Sequence, residues 1–313
     1  MSMPSDTFAT YQAIGNREDL SDDIWKISPT ETPFFSAIAK VKATATLHEW
    51  QTQALAAADS SNAVLEGSDA VTDAVTPTVR LSNVCQISDK VARVSGTQQA
   101  VEHAGRDDEM AYQEVLKGQE LKIDVDTILS GVNQTKVTGD TTTARKTSSV
   151  LSWIATNDDH VGTSPTTSGS VTRVDGTQRA FTEAQLKNVL QLCWAQGGKP
   201  NLLLLGGFNK QVMSTFTGRA TPMEDTKSKK IVAAVDAYES DFGTVKVMPS
   251  RNVRSRDCLV LDTSMWAVAH LRKMESIPLA ITGDSRRRQI ITEYALVSRN
   301  EKASGGVFDL TTS

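Results

Sequence analysis

At 313 residues, 39% hydrophobic and 22% charged, the chain has the composition of an ordinary globular protein with room for one large domain or two smaller ones. Its formal net charge of −4 gives no electrostatic reason to grip nucleic acid as a main task. The stretch from Met1 to Trp25 carries Asp6, Glu18, Asp19, Asp22 and Asp23 without an apolar h-region, and the longest strongly apolar run is only Leu202 to Leu205. A secretory signal and a membrane span are therefore not expected. Cys85, Cys193 and Cys258 are odd in number and widely spaced, and read as small buried residues in a reducing cytoplasm, not as a disulfide frame or a zinc site.

Residues 1 to about 45 form an arm that ends in Ile27-Ser28-Pro29-Thr30-Glu31-Thr32-Pro33-Phe34-Phe35. Each proline pushes its predecessor toward extended geometry, so the segment is expected as a ribbon without helix. Phe34, Phe35 and Ile38 need a surface to cover, either on their own body or on a neighbour. Leu47 to Thr52 and Thr78 to Leu81 then alternate as two strands of a hairpin. From Glu49 to Val79 the acids are Glu49, Asp59, Glu66, Asp69 and Asp73, with no Lys or Arg. Such a segment cannot build a core, and folded back on itself it reaches roughly 50 Å at ~3.3 Å per residue. An isolated two-stranded hairpin is marginal in water, so it needs external support, or else it is a surface loop without order.

A strand from Val84 to Val94 leads to a helix from about Arg106 to Ser130, opened by Asp107 and Asp108 and closed by Gly131. At 100° per residue, Met110, Ala111, Val115, Leu121, Val125, Ile128 and Leu129 share one face, with Gly118 inside it as a point of close backbone approach. Tyr112, Leu116 and Ile123 form a second stripe, which predicts a helix sandwiched between two surfaces. Residues 132 to about 180 are rich in Thr, Ser, Gly and Asp and read as loop with one docked island, Val150 to Ile154. A compact α/β unit follows. It comprises a helix capped by Thr182 and running through Ala195, a buried strand at Leu202 to Leu205, and a helix from Phe208 to Phe216. Strands are then expected at Lys230 to Tyr238, Val245 to Pro249, Cys258 to Asp262 and Trp266 to Leu271. Gln289 to Arg299 and Gly306 to Leu310 read as a terminal hairpin turning at Glu301 to Gly305. The fold class is α+β.

Catalytic chemistry is hard to find. His48, His103, His160 and His270 are isolated, with no metal-ligand spacing among them. Gly197-Gly198-Lys199-Pro200 lacks the frame of a phosphate loop, and there is no Gly-x-Ser-x-Gly elbow. Asp158, Asp159 and His160 supply the one candidate set for a metal-dependent hydrolase, in surroundings that look mobile. Arg286-Arg287-Arg288 is the densest positive charge; it reads as a solvated turn before a strand, as a nucleic-acid contact, or as a counter-surface for the acidic hairpin. No cofactor is implied.

The order of parts resembles the major capsid protein of tailed bacteriophages, the Hong Kong 97-type fold. It is most similar to the branch whose short arm reads Asp-Leu-Ser-Asp and then Ile-Ser-Pro-Thr-Glu-Thr-Pro-Phe, here Asp19 to Asp22 and Ile27 to Phe34. Further similar stretches are Asn83 to Ile87, Val94 to Thr97, Trp153 to Asn157, Thr282 to Ser285 and Glu293 to Leu296. The resemblance implies an N-arm at 1–45, an extended β-hairpin loop at 46–83, and a peripheral domain at 84–179. That domain holds a long spine helix at about 97–131 and the Thr/Ser/Gly-rich insertion. An axial domain at 180–275 and closing strands at 276–313 complete the chain.

The function so implied is a structural, non-enzymatic one. Pentamers and hexamers self-assemble into the icosahedral capsid of a virion, in the host bacterial cytoplasm, around double-stranded DNA that is contacted non-specifically. Self-contacts are expected at Pro29, Pro33, Phe34, Phe35, Ile38, Trp50, Asp59, Glu66, Asp69, Asp73, Arg286, Arg287 and Arg288. The arm starts too near its motif for a cleaved scaffolding segment, so any scaffolding protein is expected to be separate, as are portal and decoration proteins. No lysine lies between Lys42 and Lys90, so the loop cannot supply the amine of a Lys–Asn isopeptide weld found in some members. An encapsulin-like compartment keeps the fold and changes the contents.

Overall fold

The computed structural model describes residues 28–70, 72–102, 105, 107–216 and 236–313. The acidic stretch before Ile27, the Asp19 to Asp22 and Ile27 parts of the arm motif, His103, Arg106 and residues 230–235 of an expected strand lie outside them.

The elements run α1 (Pro33–Ala37), β1 (Ala39–Lys42), β2 (Leu47–Thr52), β3 (Val79–Val84), β4 (Gln86–Ser95), α2 (Gly96–Ala100), α3 (Glu109–Ser130), β5 (Asp158–Asp159), α4 (Glu183–Ala195), β6 (Leu202–Leu205) and α5 (Gly207–Met213). They continue with β7 (Ala237–Ser240), β8 (Gly243–Pro249), β9 (Cys258–Leu261), β10 (Trp266–Pro278), β11 (Ser285–Ser298) and β12 (Gly305–Val307). The strands form a four-stranded sheet in the order β1-β10-β11-β4, a six-stranded sheet in the order β5-β12-β9-β6-β8-β7, and a separate ribbon of β2 and β3.

Strand periodicity divides the interior. Along β6, Leu202 and Leu204 enter a core shared with Trp266, Val268, Tyr294 and Leu296 of the four-stranded sheet, Val125 and Leu129 of α3, and the island Val150, Leu151, Trp153 and Ile154. Leu203 and Leu205 enter a second core under α4, with Leu186, Val189, Leu190 and Cys193. A run of four leucines is buried throughout because both faces of its sheet are covered. Ala267, Ala269, Ala295 and Val297 face the opposite way and form a third, smaller cluster with Cys85. All three cysteines are buried and unpaired.

Several expectations are corrected. Pro33 opens a helix instead of forbidding one: proline fits the first helical position, where its missing N–H has no intrahelical role. The predicted terminal hairpin does not exist, because β11 pairs with β10 and β4 while β12 pairs with β5 and β9 of the other sheet. The span expected as one helix at 97–131 contains the separate α2 before α3, whose N-cap is Asp108. With 22 residues, α3 is about 33 Å long. Leu121, Val125 and Leu129 are buried, but Ala111 and Val115 of the same predicted face are exposed. A Cβ at Gly118 would meet nothing within 4 Å, so the close approach assigned to it is absent among the described residues. The close approach is at Gly131 instead, where a Cβ would lie 1.8 Å from the Asn252 carbonyl oxygen.

Residues 132–180 have little regular structure yet are tied down by long-range polar bonds. Arg173, 2% exposed, gives Nη1 to Asp158 Oδ2 at 2.8 Å and Nη2 to the Ile154 carbonyl at 2.6 Å, and stacks 3.5 Å above the Phe308 ring. Asp309, at φ 61°, accepts from the amides of Val161, Gly162 and Gly176 and from Arg256 Nη2. The insertion is held by the C-terminal segment.

Gly118 within α3 and Gly131 at its C-cap predict substitutions of opposite sign. Gly118→Ala stabilises the unassembled subunit by about 0.5–1 kcal/mol through helix propensity, whereas Gly131→Ala costs about 1–3 kcal/mol because α3 and Asn252 must separate. Urea denaturation of the two variants checks both.

Candidate assembly surfaces

The β2–β3 ribbon is locked at its base and open at its tip. Asn83, fully buried, donates from Nδ2 to Thr147 Oγ1 at 3.0 Å and to the Leu296 carbonyl at 2.6 Å, while its Oδ1 accepts from the amides of Val84 and Ser148. Trp50 Nε1 donates to the Ser298 carbonyl at 2.8 Å, and its ring packs 5.7 Å from that of Trp153. Lys136 Nζ reaches the Ser82 carbonyl at 2.9 Å. The ladder ends at the pair Thr52 and Val79, and every described residue from 53 to 78 is exposed. Leu55 is 96%, Leu65 83% and Val75 88% exposed. Asp59, Glu66, Asp69 and Asp73 all lie on this projecting segment. The carboxyl of Asp59 is held below its usual range by the backbone and side chain of Ser61.

The arm is fastened to its own body from Pro33 onward. Phe34 and Ile38 are buried in the main core, with Phe34 set edge-on to Trp266 at 6.5 Å. Pro33 is also buried, while Pro29 is exposed. Thr32 makes no side-chain cap to α1. That duty falls to Asp126 of α3, fully buried, whose Oδ1 accepts from the Phe35 amide at 2.7 Å and whose Oδ2 accepts from Asn252 Nδ2 at 2.7 Å. Asn252 also donates to the Glu31 carbonyl at 3.1 Å. Burial pushes the Asp126 carboxyl above its ordinary value, against the pull of its donors.

Arg286, Arg287 and Arg288 begin β11, so they are strand residues and not a turn. Arg288 pairs with Glu114 at 2.9 Å, and Arg287 donates to the Ala280 carbonyl and Thr282 Oγ1. The Asp108 carboxyl is held low by the Ala111 amide and Gln99, with a smaller contribution from Arg286.

Phe35 is partly buried and lines a groove of about 820 Å³ between α1, β1, α3 and β10. Val41, Val125, Leu271 and Met274 make its floor with Phe35, and Lys40, Lys42, Lys122 and Lys273 its rim. Among the described residues no carboxylate lines it. The lysines come from three distant segments, so no run in the sequence announces them.

Residues 4–311 match the profile of the family described as SU10 major capsid protein. The chain belongs to that family. The major capsid protein of Escherichia phage Phieco32 is 28% identical, with 96% of each chain covered. The fold is shared with the capsid of Cyanophage A-1(L), at TM-score 0.66 and 12% identity over 97% of this chain and 99% of the other. It is shared equally with the capsid of a native GTA particle, at TM-score 0.66 and 9% identity over 96% and 98%. The solved Phage G structure, at TM-score 0.52 and 10% identity over 99% and 100%, comprises gp27 major capsid proteins and gp26 decoration proteins. The role is that of a phage major capsid subunit, a structural family and not an enzyme family.

The hydrolase reading fails on geometry. Asp158 is paired with Arg173, and Asp159 with Arg179. Ser164 Oγ donates to Asp158 at 2.8 Å, and the His160 ring sits 3.3 Å from each of the two. Among the described residues no group of three or more His, Cys, Asp and Glu could hold a metal, and no helix is long and apolar enough to cross a membrane.

Asp126 predicts a measurable clamp. Asp126→Ala leaves the Phe35 amide without its acceptor and takes one of the two acceptors from Asn252 Nδ2, at a cost of about 1–3 kcal/mol, read as a lower denaturation midpoint. Because its folded pKa is raised, this group alone favours folding most below its unfolded value near 3.8, and that contribution is lost as pH rises through the folded value. Asp126→Asn removes that component from the stability–pH profile.

Proposed function

We propose that this major capsid subunit assembles as pentamers and hexamers into a closed icosahedral shell of a tailed-phage head. The shell encloses double-stranded DNA and forms in the host bacterial cytoplasm. The observation that carries this reading is the projecting segment 53–78, which exposes Leu55, Leu65 and Val75 and is exposed at every one of its described residues. Single apolar side chains on a surface are common, but a locked base followed by a long uncovered extension implies an external surface. Closure about local symmetry axes makes each later contact effectively intramolecular, so individually modest contacts suffice.

In this reading residues 1–45 are the N-arm, 46–83 the extended loop, 84–179 the peripheral domain, 180–275 the axial domain, and 276–313 its return to the periphery. The loop acids Asp59, Glu66, Asp69 and Asp73 set register on a neighbouring copy, since exposed ion pairs contribute only ~0–1 kcal/mol each. Arg286 is an exposed candidate on the receiving side, whereas Arg287 and Arg288 must first leave their own partners. Phe34 and Ile38 act from within, by fixing where the arm leaves the body. Scaffolding, portal and decoration proteins are separate chains, and DNA meets the shell without sequence preference.

Negative-stain microscopy of the purified chain is expected to reveal closed particles of uniform diameter. Only monomers or open aggregates across assembly conditions would refute the proposal, and closed particles from infected cells holding protein without DNA would favour an encapsulin-like compartment. The same shells, boiled in denaturant, are expected to run as single subunits, because no lysine lies between Lys42 and Lys90 for a loop cross-link; a ladder of covalent multimers would contradict this.

A further inference from the structure

We propose that Asp175 is a modification site, at which the bond to Gly176 isomerises to isoaspartate, and that Arg254, Arg256 and Asp309 hold it unreacted while the insertion stays closed. The proposal is independent of the shell reading and concerns the chemical lifetime of the folded subunit.

The sequence singles out this bond. Isoaspartate forms when the amide nitrogen following an aspartate attacks that aspartate's side-chain carbonyl carbon, and a side chain on the following residue obstructs the approach. Glycine has none. Asp175-Gly176 is the only Asp-Gly pair in the chain, and no Asn-Gly pair occurs. Asp175 is exposed, so water reaches it.

The structure holds both reacting groups. Arg254 grips the Asp175 carboxylate with two bonds, Nη1 to Oδ2 at 3.0 Å and Nη2 to Oδ1 at 2.8 Å, and Arg256 Nη1 lies 3.4 Å from Oδ2. The Gly176 amide donates to Asp309 Oδ1 at 2.8 Å, and the Gly176 carbonyl accepts from Arg256 Nη2 at 2.7 Å. Here the backbone crosses that of Val161 and Gly162 so closely that a Cβ on Gly176 would lie 2.4 Å from the Gly162 nitrogen. Both flanks are tied as well: Val174 exchanges backbone bonds with Thr163, and the Arg179 amide donates to the Asp309 carbonyl.

The reaction has to undo this grip. A bond forms between the Gly176 nitrogen and Asp175 Cγ, the amide proton departs, and one carboxyl oxygen leaves as water, closing a succinimide ring. The hydrogen bond to Asp309 is lost with the proton, and guanidinium contacts are lost with the oxygen. Water then opens the ring at either carbonyl, which restores aspartate or yields isoaspartate without any oxidant or reductant. Isoaspartate lengthens the main chain by a methylene, so Gly176 shifts relative to Asp309 and the insertion loses an anchor. The reaction therefore proceeds from a locally open state, at a rate set by how often the insertion releases Gly176.

The test follows isoaspartate at position 175 of the full-length chain by peptide mapping with electron-transfer fragmentation, at physiological temperature and pH. The folded chain is expected to accumulate it at least about tenfold more slowly than the same chain unfolded in guanidinium chloride. Folded Arg254→Gln is expected to move most of the way to the unfolded rate. Equal rates for the folded and unfolded wild-type chain, or a wild-type rate in folded Arg254→Gln, overturn the proposal. If Arg254→Gln does not fold, the wild-type chain in denaturant below its unfolding midpoint decides. There the rate is expected to rise in step with hydrogen exchange of the Gly176 amide, and a rate that stays level while that amide opens overturns the proposal.

Discussion

A two-stranded ribbon has two faces and no layer behind either, and the rest of this structure is arranged around that constraint. The ribbon of β2 and β3 is stable only where another part of the chain supplies a wall. At the base that wall exists: Asn83 uses both of its amide hydrogens and both oxygen lone pairs, and Trp50 rests on Trp153 while bonding to Ser298. Beyond Thr52 and Val79 the wall stops and the segment continues. A chain that fixes the direction of an extension and then leaves it uncovered has specified a geometry for contact with something else.

The same logic sets the arm. A five-residue helix has no stability of its own, so α1 is held by Phe34 and Ile38 in the core and by a carboxylate borrowed from another helix. Asp126 joins α1, α3 and the Asn252 segment at a single buried point. Burial raises its pKa, which means its charge is costly there, so the bonds it accepts are what keep the site intact. The start of α1, the middle of α3 and the Asn252 segment are therefore fastened together at one point.

Elements governed by local chemistry were legible in the sequence. The helix α4 matches its expected bounds because Thr182 and Gln185 form a reciprocal capping box and Gly197 stops it at φ 80°. The leucine run of β6 and the alternation of β2 were equally readable, as was the acidic, lysine-free loop, whereas β3, read as ending at Leu81, runs on to Val84. What escaped was set by distant partners. The insertion looked mobile because its composition is polar, yet its order comes from Asp309, whose partners Val161 and Gly176 lie far along the chain, and from Arg173, which binds Asp158 and Ile154 within the insertion and stacks on the distant Phe308. The split of β11 and β12 between two sheets is a tertiary choice that two neighbouring strand patterns do not encode. Lys40, Lys42, Lys122 and Lys273 are unremarkable singly and acquire meaning only when β1, α3 and β10 bring them to one rim.

The central claim is that the projecting loop gains its order from copies of the same chain. Amide hydrogen exchange compared between unassembled subunits and shells tests it most directly. The account predicts that residues 53–78 exchange at open-chain rates in the subunit and slow by an order of magnitude or more in the shell, while β6, β9 and β11 are protected in both. A loop already protected in the dilute subunit, or one that remains unprotected in closed shells, would contradict it.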